Sequence, residues 1–291
     1  MKAIIAVNPY YDSAAVDYQC ARFSEEFAAR GVSVSVSRQI KDNVMIKDGR
    51  VSCTLPDADF VVYLDKDKHL ALMLEKAGYR LFNSAEAITL SDDKMLSYIK
   101  LAGNGIRMPD TVSAPLLYVD KSDGAFLAEV EDRLGLPVVV KENFGSIGKQ
   151  VYLARSKEGL KRLYEELKHK PHLYQKFIEE SRGRDVRVAV VGGKAVAAME
   201  RRSTDGDFRS NVGNGGTGVK INADAEVLKT AEEACKKLGL DFGGADILLS
   251  DDGPVLCEVN SNMFFERTEQ VTGVNVAGLI AEYILSKTHN L

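Results

Sequence analysis

The residues of this chain best suited to chemistry are Asp246 and the pair formed by Glu258 and Asn260. Successive side chains of an extended strand point to opposite faces, so Glu258 and Asn260, two positions apart, would present oxygen atoms on one face. The apolar residues around Asp246 also predict a strand, and the turn residues 251–253 predict a hairpin that brings Asp246 to the same face. Such donors suit Mg²⁺ shared with nucleotide phosphates, and a polar strand edge is the alternative.

Lys141 follows three consecutive valines, a run typical of a strand that is buried on both faces. An ammonium group at this position either extends to solvent or meets a fixed anion, because an unpaired buried ion is strongly unfavourable. The loop that follows contains Gly145, Ser146 and Gly148, and the backbone N–H groups of such loops can bind phosphate oxygens. An ordinary turn is the alternative, but a strand-end lysine leading into this loop favours a phosphate site.

Segment 172–178 predicts an extended connection between two lobes, with backbone groups free to pair with an adenine edge. Asp185 then begins a strand that also carries Arg187. The carboxylate of Asp185 would accept ribose hydroxyls, or the two residues would form a plain salt bridge.

Three arginines, Arg201, Arg202 and Arg209, precede the glycine-rich stretch 213–216. Guanidinium groups bind phosphoryl or carboxylate oxygens through paired hydrogen bonds. A solvated charged loop is the alternative for any one of them.

The elements that position these residues fall into three predicted segments. Residues 1–90 alternate strand and helix patterns, which predicts a parallel sheet covered by helices, and no G-x-G-x-x-G follows the first strand. Residues 91–171 predict a small α+β lobe that begins with a helix capped by Ser91 or Asp92. Residues 172–291 carry longer strands, the hairpin and a final helix. The predicted class is α/β (α+β).

Composition excludes several classes of function. The net charge of −4 and the absence of a basic tract argue against nucleic-acid binding, and no apolar run approaches the ~20 residues that span a bilayer. The N-terminal apolar run is too short for a secretory signal. The four cysteines lack C-x-x-C spacing and the four histidines are scattered, so we expect reduced thiols, a cytoplasmic protein, and neither a zinc site nor a catalytic triad.

Together these motifs resemble the ATP-grasp superfamily and, within it, the RimK-type ATP-dependent carboxylate–amine (alpha-L-glutamate) ligases. The resemblance extends from about residue 82 to the final helix. It is most specific in six stretches: 175–178, 183–187, 190–194, 206–211, 258–260 and 272–275. It implies an ATP-grasp fold, in which an N-terminal parallel-sheet lobe precedes two α+β lobes that sandwich ATP.

The resemblance also implies a role for each matching residue. The nucleotide would be bound by Lys94, Lys141, Gly145, Ser146, Gly148, Gln175, Lys176, Phe177, Ile178, Asp185, Arg187, Arg209 and Asn211. Two Mg²⁺ or Mn²⁺ ions would be held by Asp246, Glu258 and Asn260. Catalytic charge neutralisation would come from Lys141, Arg201 and Arg209. The implied reaction transfers the γ-phosphoryl group to a carboxylate, and an amine then attacks the acyl phosphate.

The substrate half of the pattern departs from the glutamate ligases. Gly213-Asn214 replaces a His-Arg pair, residues 261–266 replace a Ser-Pro-Gly turn, and Lys149 stands where another glycine is expected. The implied activity adds an amino acid such as glutamate to a peptide, carrier protein or small metabolite, in a possible dimer or tetramer. The alternatives are a ligase for cofactor, lysine-carrier or peptide natural-product tailoring, a non-catalytic ATP-binding regulatory module, and a coincidental motif. Metal-dependent ATP turnover would distinguish the ligases from the regulatory module and from the coincidental motif.

Overall fold

The computed structural model of the protein describes residues 1–11, 13–38, 44–119, 124–210 and 216–288. The predicted position Asn211 and the departure at Gly213-Asn214 therefore lie outside the described residues. Among the described residues, no helix has the length and apolar character needed to cross a bilayer.

The N-terminal part alternates strands and helices, as predicted. Its elements are β1 (Lys2–Val7), α1 (Ala14–Ala29), β2 (Ser33–Ser37), β3 (Val44–Lys47), β4 (Arg50–Cys53), β5 (Phe60–Leu64), α2 (Lys68–Lys76), β6 (Leu81–Phe82), α3 (Ala85–Asp92) and α4 (Lys94–Leu101). Four strands form a parallel sheet in the order β2-β1-β5-β6, and β3 pairs with β4 as a separate hairpin. Because both faces of the central strands are covered, β5 is buried along its whole length.

Helix α4 begins one residue later than the sequence predicts. The side chain of Asp93, and not Ser91 or Asp92, accepts hydrogen bonds from the backbone of Met95 (2.9 Å) and Leu96 (3.2 Å). Residues up to Asp92 belong to the separate helix α3, which the sequence reading missed. The consequence is that Lys94 is the first residue of α4 and is buried.

The second part forms a small antiparallel sheet with two helices. Its elements are β7 (Thr111–Ser113), α5 (Gly124–Leu134), β8 (Val138–Glu142), β9 (Val151–Ala154), α6 (Lys157–Leu167) and β10 (His172–Lys176). The strand order is β7-β10-β8-β9.

The prediction of a free extended connection at 172–178 is wrong for most of that segment. Strand β10 is hydrogen-bonded on both sides, to β7 and to β8, so it belongs to the second sheet and not to the third segment. The backbone groups of β10 are therefore largely used within the sheet. Only Phe177 and Ile178 lie between β10 and the next element, a short 3₁₀-helix at Glu179–Ser181.

The third part carries the predicted hairpin. Its elements are β11 (Arg184–Val191), β12 (Lys194–Arg202), β13 (Thr217–Lys220), α7 (Ala225–Lys237), β14 (Phe242–Ser250), β15 (Gly253–Asn260), α8 (Glu266–Thr272) and α9 (Val276–Thr288). The antiparallel order is β13-β12-β11-β14-β15. Asp246 of β14 stands directly opposite Glu258 of β15, which confirms the predicted hairpin.

The first and third sheets share one hydrophobic core. Phe23 and Phe60 of the N-terminal part pack in the same cluster as Phe242, Phe265 and Ile280. The second sheet has its own core, formed by residues of α5, α6 and its strands. The first and third parts therefore pack against each other through one apolar core, whereas the second part, the small lobe, has a hydrophobic core of its own.

Polar contacts reinforce the junction of the first and third parts. Asn83 donates to the carbonyls of Phe242 (2.9 Å) and Ser261 (3.0 Å) and accepts from the backbone N–H of Asp241 (2.7 Å). Asn262 donates to the carbonyl of Leu64 at 2.9 Å. Asn262, one of the departures from the glutamate-ligase pattern, thus contacts the end of β5.

Candidate active site

The hairpin β14–β15 places three oxygen-bearing side chains together, as predicted. The amide nitrogen of Asn260 donates to Oε1 of Glu258 at 3.1 Å, which orients the Asn260 carbonyl oxygen away from that bond. Asp246 is buried, and its Oδ1 lies 2.7 Å from Nε of Arg187 without forming a hydrogen bond. A carboxylate oxygen can accept more than one contact, so the ion pair with Arg187 leaves a lone pair of Oδ1 for a cation.

The donor set has the character of a site for a hard divalent cation. Within the described ranges, no group of three or more His, Cys, Asp or Glu side chains is arranged to hold a metal. The candidate site instead offers two carboxylates and one amide oxygen. Mg²⁺ is commonly held by one or two carboxylates together with substrate phosphates and water, so these residues fit such an ion.

Two arginines lie behind the hairpin and pair with buried carboxylates. Arg201 contacts Asp185 through Nε (2.7 Å) and Asp246 through Nη2 (2.8 Å). The expected alternative of an Asp185–Arg187 salt bridge is wrong, because Arg187 pairs with Asp246. A Cβ atom at Gly244 would collide with the Arg187 guanidinium, so glycine at this position allows the pair to form.

The pKa values of Arg201 and Asp246 depend on two opposing effects, burial and the charges of neighbouring side chains. Burial alone would lower the pKa of Arg201, but Asp185 and Asp246 outweigh it and raise that pKa well above its usual value. Burial raises the pKa of Asp246, and the two arginines oppose the rise. Arg201, predicted to neutralise phosphoryl charge, is thus already balanced by protein carboxylates.

Lys94 of α4 and Lys141 of β8 both lie near the carboxylate of Glu258. The ammonium of Lys94 contacts the carbonyl of Gly145 at 3.3 Å, and that of Lys141 lies 3.5 Å from the sulfur of Cys257. Neither lysine forms an ion pair within the part of the chain that the structure describes. Two buried cations without contacting anions create a positive potential suited to phosphates.

The pKa values of these groups reflect the same arrangement. Burial raises the pKa of Glu258, but Lys94 and Lys141 outweigh it, and the pKa falls below its usual value. Burial lowers the pKa of Lys94 despite the nearby Glu258. For Lys141, burial is outweighed by Cys257, Tyr98 and Glu258, so its pKa is raised. Glu258 is therefore ionised near neutral pH and offsets only part of the positive charge of the two lysines.

Three cavities surround the hairpin. The first, of about 100 Å³, lies between the second and third sheets. Its lining includes ten predicted residues: Lys141, Gly148, Gln175, Lys176, Phe177, Ile178, Asp185, Arg209, Asp246 and Glu258. The second, of about 340 Å³, is lined by the predicted residues Ser146, Arg187, Arg201, Glu258 and Asn260. A narrow third space is lined by the predicted residues Lys94, Gly145, Glu258 and Asn260. Glu258 lines all three.

Gln175 contributes a polar side chain to the lining of the first cavity. It is buried, and its amide nitrogen donates to Oγ1 of Thr111 at 2.8 Å, while its carbonyl oxygen has no hydrogen bond. A buried acceptor in a cavity suits a ligand donor such as an exocyclic amine. The rings of Phe177 and Phe208 lie 6.2 Å apart at 72° nearby. Phe208 was not predicted, although it stands inside the 206–211 motif.

The glycine loop is closed over the first cavity. Arg209 donates to the carbonyl of Gly148 at 2.7 Å and pairs with Asp207 at 2.7 Å. A cavity of about 100 Å³ is smaller than the ~300–1,000 Å³ of typical ligand pockets, so a nucleotide requires the small lobe to move outward. The separate core of that lobe makes such movement compatible with an intact fold.

The N-terminal part also contributes residues that the sequence reading missed. Tyr11 and Lys66, which follow β1 and β5, line the second cavity. Strand β1 lies between β2 and β5, so the chain order changes direction there. Ligand sites of open parallel sheets lie outside the carboxyl ends of the strands at such points. This rule could have predicted from the sequence that Tyr11 and Lys66 lie at a ligand site.

Comparisons with known proteins agree with this architecture. The profile of the RimK-like ATP-grasp domain matches residues 91–284. The chain belongs to the RimK-like ATP-grasp family. It is 39% identical over 245 residues to N-acetylaspartylglutamate synthase A of Homo sapiens, covering 81% of this chain and 62% of that protein. It is 38% identical over 220 residues to a probable alpha-L-glutamate ligase of Legionella pneumophila, covering 74% of this chain and 70% of that protein.

Solved ATP-grasp structures share the fold. A RimK domain ATP-grasp protein from Sphaerobacter thermophilus superposes with a TM-score of 0.74 at 20% identity, covering 97% of this chain and 99% of that chain. The ATP-grasp ligase PsnB, complexed with a minimal precursor, Mg and ADP, gives 0.69 at 18% identity over 99% and 98% of the two chains. This RimK-like chain spans about three-fifths of the length of the human synthase.

Proposed function

We propose that the protein is an ATP-dependent carboxylate–amine ligase that activates a carboxylate as an acyl phosphate and joins it to an amino acid such as glutamate. One observation carries the proposal: Glu258 lines both the cavity that contains Lys141 and the larger second cavity. A nucleotide in the first cavity and a substrate in the second would meet at the hairpin. Family membership and the names of the relatives support this assignment.

The nucleotide would lie between the second and third sheets. Gln175, Phe177 and Ile178 would contact the adenine, with Lys176 beside them, and Asp185 would approach the ribose. Lys94, Lys141 and Arg209 would bind phosphate oxygens, together with the loop at 145–148 and the predicted position Asn211. Two of the predicted residues take revised roles, because Arg187 and Arg201 pair with Asp246 and so orient that carboxylate.

Asp246, Glu258 and Asn260 would hold one or two Mg²⁺ or Mn²⁺ ions, which when bound neutralise charge on the transferred phosphoryl group. A substrate carboxylate oxygen attacks the γ-phosphorus, and ADP leaves. The amine nitrogen then forms the C–N bond as the C–O bond to phosphate breaks, and the amine proton passes to solvent. Closing of the glycine loop excludes water, which would otherwise hydrolyse the acyl phosphate.

A ligase of another substrate class is the second candidate. Residues 261–266 replace the Ser-Pro-Gly turn of the glutamate-ligase pattern, and Asn262 in this segment donates a hydrogen bond to the carbonyl of Leu64. This difference beside the second cavity favours another substrate class. We propose that its substrates are small molecules, peptides or carrier proteins, that it binds neither nucleic acid nor membrane, and that it forms a homo-oligomer. The described cysteines are all unpaired, which supports a cytoplasmic setting.

The decisive experiment combines Mg-ATP, amino acids and carboxylates, singly and in pairs, and records ADP and product masses. A condensed product with one ADP per bond, and transfer of ¹⁸O from a labelled carboxylate to inorganic phosphate, is the expected result. Release of AMP and pyrophosphate would contradict acyl phosphate chemistry. Absence of nucleotide binding would contradict the function as a whole.

A further inference from the structure

Helix α4, which begins with Lys94, is anchored to the hairpin of the candidate site. Tyr98, one turn after Lys94, is buried, and its hydroxyl donates a hydrogen bond to the carbonyl of Cys257. Cys257 directly precedes Glu258 in β15, so this bond ties α4 to the strand that carries a candidate metal ligand. The position of Lys94 relative to Glu258 is therefore set by contacts between the first and third parts of the chain.

A second contact ties the start of α4 to the small lobe. The side-chain amide nitrogen of Asn143 donates to Oδ1 of Asp93 at 3.1 Å, and the carbonyl of Asn143 accepts from the backbone N–H of Lys94 at 3.1 Å. Asn143 belongs to the small lobe, where its backbone N–H donates to the carbonyl of Pro171 at 2.9 Å. The first turn of α4 is thus held to the small lobe through one buried residue.

The contact between Asp93 and Asn143 joins the two elements that carry the buried lysines. The Asp93 oxygen that accepts from Asn143 is the one that caps α4, immediately before Lys94. Asn143 stands two positions after Lys141, just beyond the end of β8. Two neighbouring cations repel each other, so their spacing has to be fixed by other contacts. The hydrogen bond between Asp93 and Asn143 is such a contact.

We propose that Asp93 and Asn143 are positioning residues that set the spacing of Lys94 and Lys141 and thereby the binding of the nucleotide phosphates. Neither Asp93 nor Asn143 lines any of the three cavities around the hairpin, so both act through the lysines. This inference rests on the proposed function, in which the two lysines bind phosphate oxygens. Its consequence is an effect confined to the phosphates, because the adenine would be contacted by other residues.

The test compares two ligands that share adenine and ribose but differ in their phosphates. Saturation-transfer NMR on the full-length protein with Mg²⁺ would measure binding of adenosine and of a non-hydrolysable ATP analogue. The variant N143A removes the bond to Asp93 and leaves the cap of α4 in place. It should weaken binding of the analogue by about tenfold or more, the effect of losing one charge-assisted phosphate contact. Binding of adenosine should change little.

Two replacements of Asp93 separate its charge from its hydrogen bonds. D93N keeps an oxygen that can cap α4 and accept from Asn143, since asparagine and aspartate are comparable caps, so it should retain analogue binding. D93A removes these bonds and should weaken analogue binding as N143A does. S156A removes the cap of α6, where the Ser156 hydroxyl accepts from Gly159 at 3.1 Å, and N104A alters an exposed asparagine just after α4. Both controls should leave binding unchanged.

A double-mutant cycle tests whether Asn143 acts through Lys94. The variant K94M lacks the ammonium group that Asn143 is proposed to position. In that background, N143A should have little further effect on binding of the ATP analogue, because residues that act as a unit are not additive. Fully additive losses would contradict the proposal.

Two further results would overturn the assignment and leave the ligase intact. One is binding of the ATP analogue by N143A and D93A as tight as that of the unmodified protein. The other is equal weakening of adenosine and analogue, which would indicate a role only in the folding of the small lobe. If N143A does not fold, the comparison of D93A with D93N decides. Absence of analogue binding by the unmodified protein would instead contradict the proposed function, so the two failures are distinguishable.

Discussion

Arg201 lies between the carboxylates of Asp185 and Asp246, with Nε 2.7 Å from the first and Nη2 2.8 Å from the second. All three side chains are buried. One guanidinium therefore joins the residue expected at the ribose to a candidate metal ligand, and the pairing fixes the orientation of both.

Replacing Arg201 by methionine should destabilise the protein by about 3–5 kcal/mol, because two buried carboxylates would lose their shared counter-charge. Equilibrium denaturation in urea measures the change in the free energy of unfolding. The exposed neighbour Arg202 pairs with Glu200 at the surface, so R202M should cost no more than ~1 kcal/mol. Equal effects of the two changes would contradict the role of the buried pairing.

Replacing Lys141 by methionine should weaken ATP binding by about tenfold to a hundredfold, since one charge-assisted phosphate contact would be lost. The aliphatic replacement suits the buried strand end, so the fold should be retained. Titration calorimetry with an ATP analogue gives the affinity. The exposed Lys161 provides the control K161M, and equal affinities in the two variants would argue against a phosphate contact.

Glu258→Gln should abolish ATP turnover while unfolding stays cooperative. The change removes the anion that faces Lys94 and Lys141 and one carboxylate of the candidate metal site. Circular dichroism through a thermal transition would check the fold, and ADP release would check turnover. Normal turnover would refute the placement of phosphoryl transfer at the hairpin.

His172 should make stability depend on pH below about 6.5. Burial lowers its pKa from 6.5, while its ring nitrogens lie 2.8 Å from the Lys170 carbonyl and the Tyr174 hydroxyl. The unfolded chain then binds a proton at a higher pH than the folded chain, so stability is full above pH 6.5 and decreases as the pH falls through that value toward the folded pKa.

Urea denaturation between about pH 5 and about pH 7.5, a range that spans the ordinary histidine pKa of ~6.5, measures the free energy of unfolding and tests the His172 prediction. H172Q should flatten the profile, and H69Q, a change at an exposed histidine, should not. Superimposable profiles for the unmodified protein and H172Q would contradict the prediction.

The sequence by itself determined the local features of the site. Strand alternation and one turn predicted a hairpin that brings Asp246 to the face of Glu258 and Asn260. A register shift between Asp246 and Ile247, which the turn does not specify, sets Asp246 directly opposite Glu258. The valine run before Lys141 likewise predicted a buried strand end. Both are relationships within a few residues or within one hairpin, and the side-chain pattern records them directly.

Only the tertiary structure decided which distant groups meet. Strand β10 was expected to be a free connection, but two neighbouring strands pair with it. Arg201 was expected at a phosphate, but it reaches Asp185 and Asp246 across the sheet. Tyr11 and Lys66 join a site built mainly from residues beyond 140. Strand order and packing between layers set these contacts, and no local periodicity specifies them.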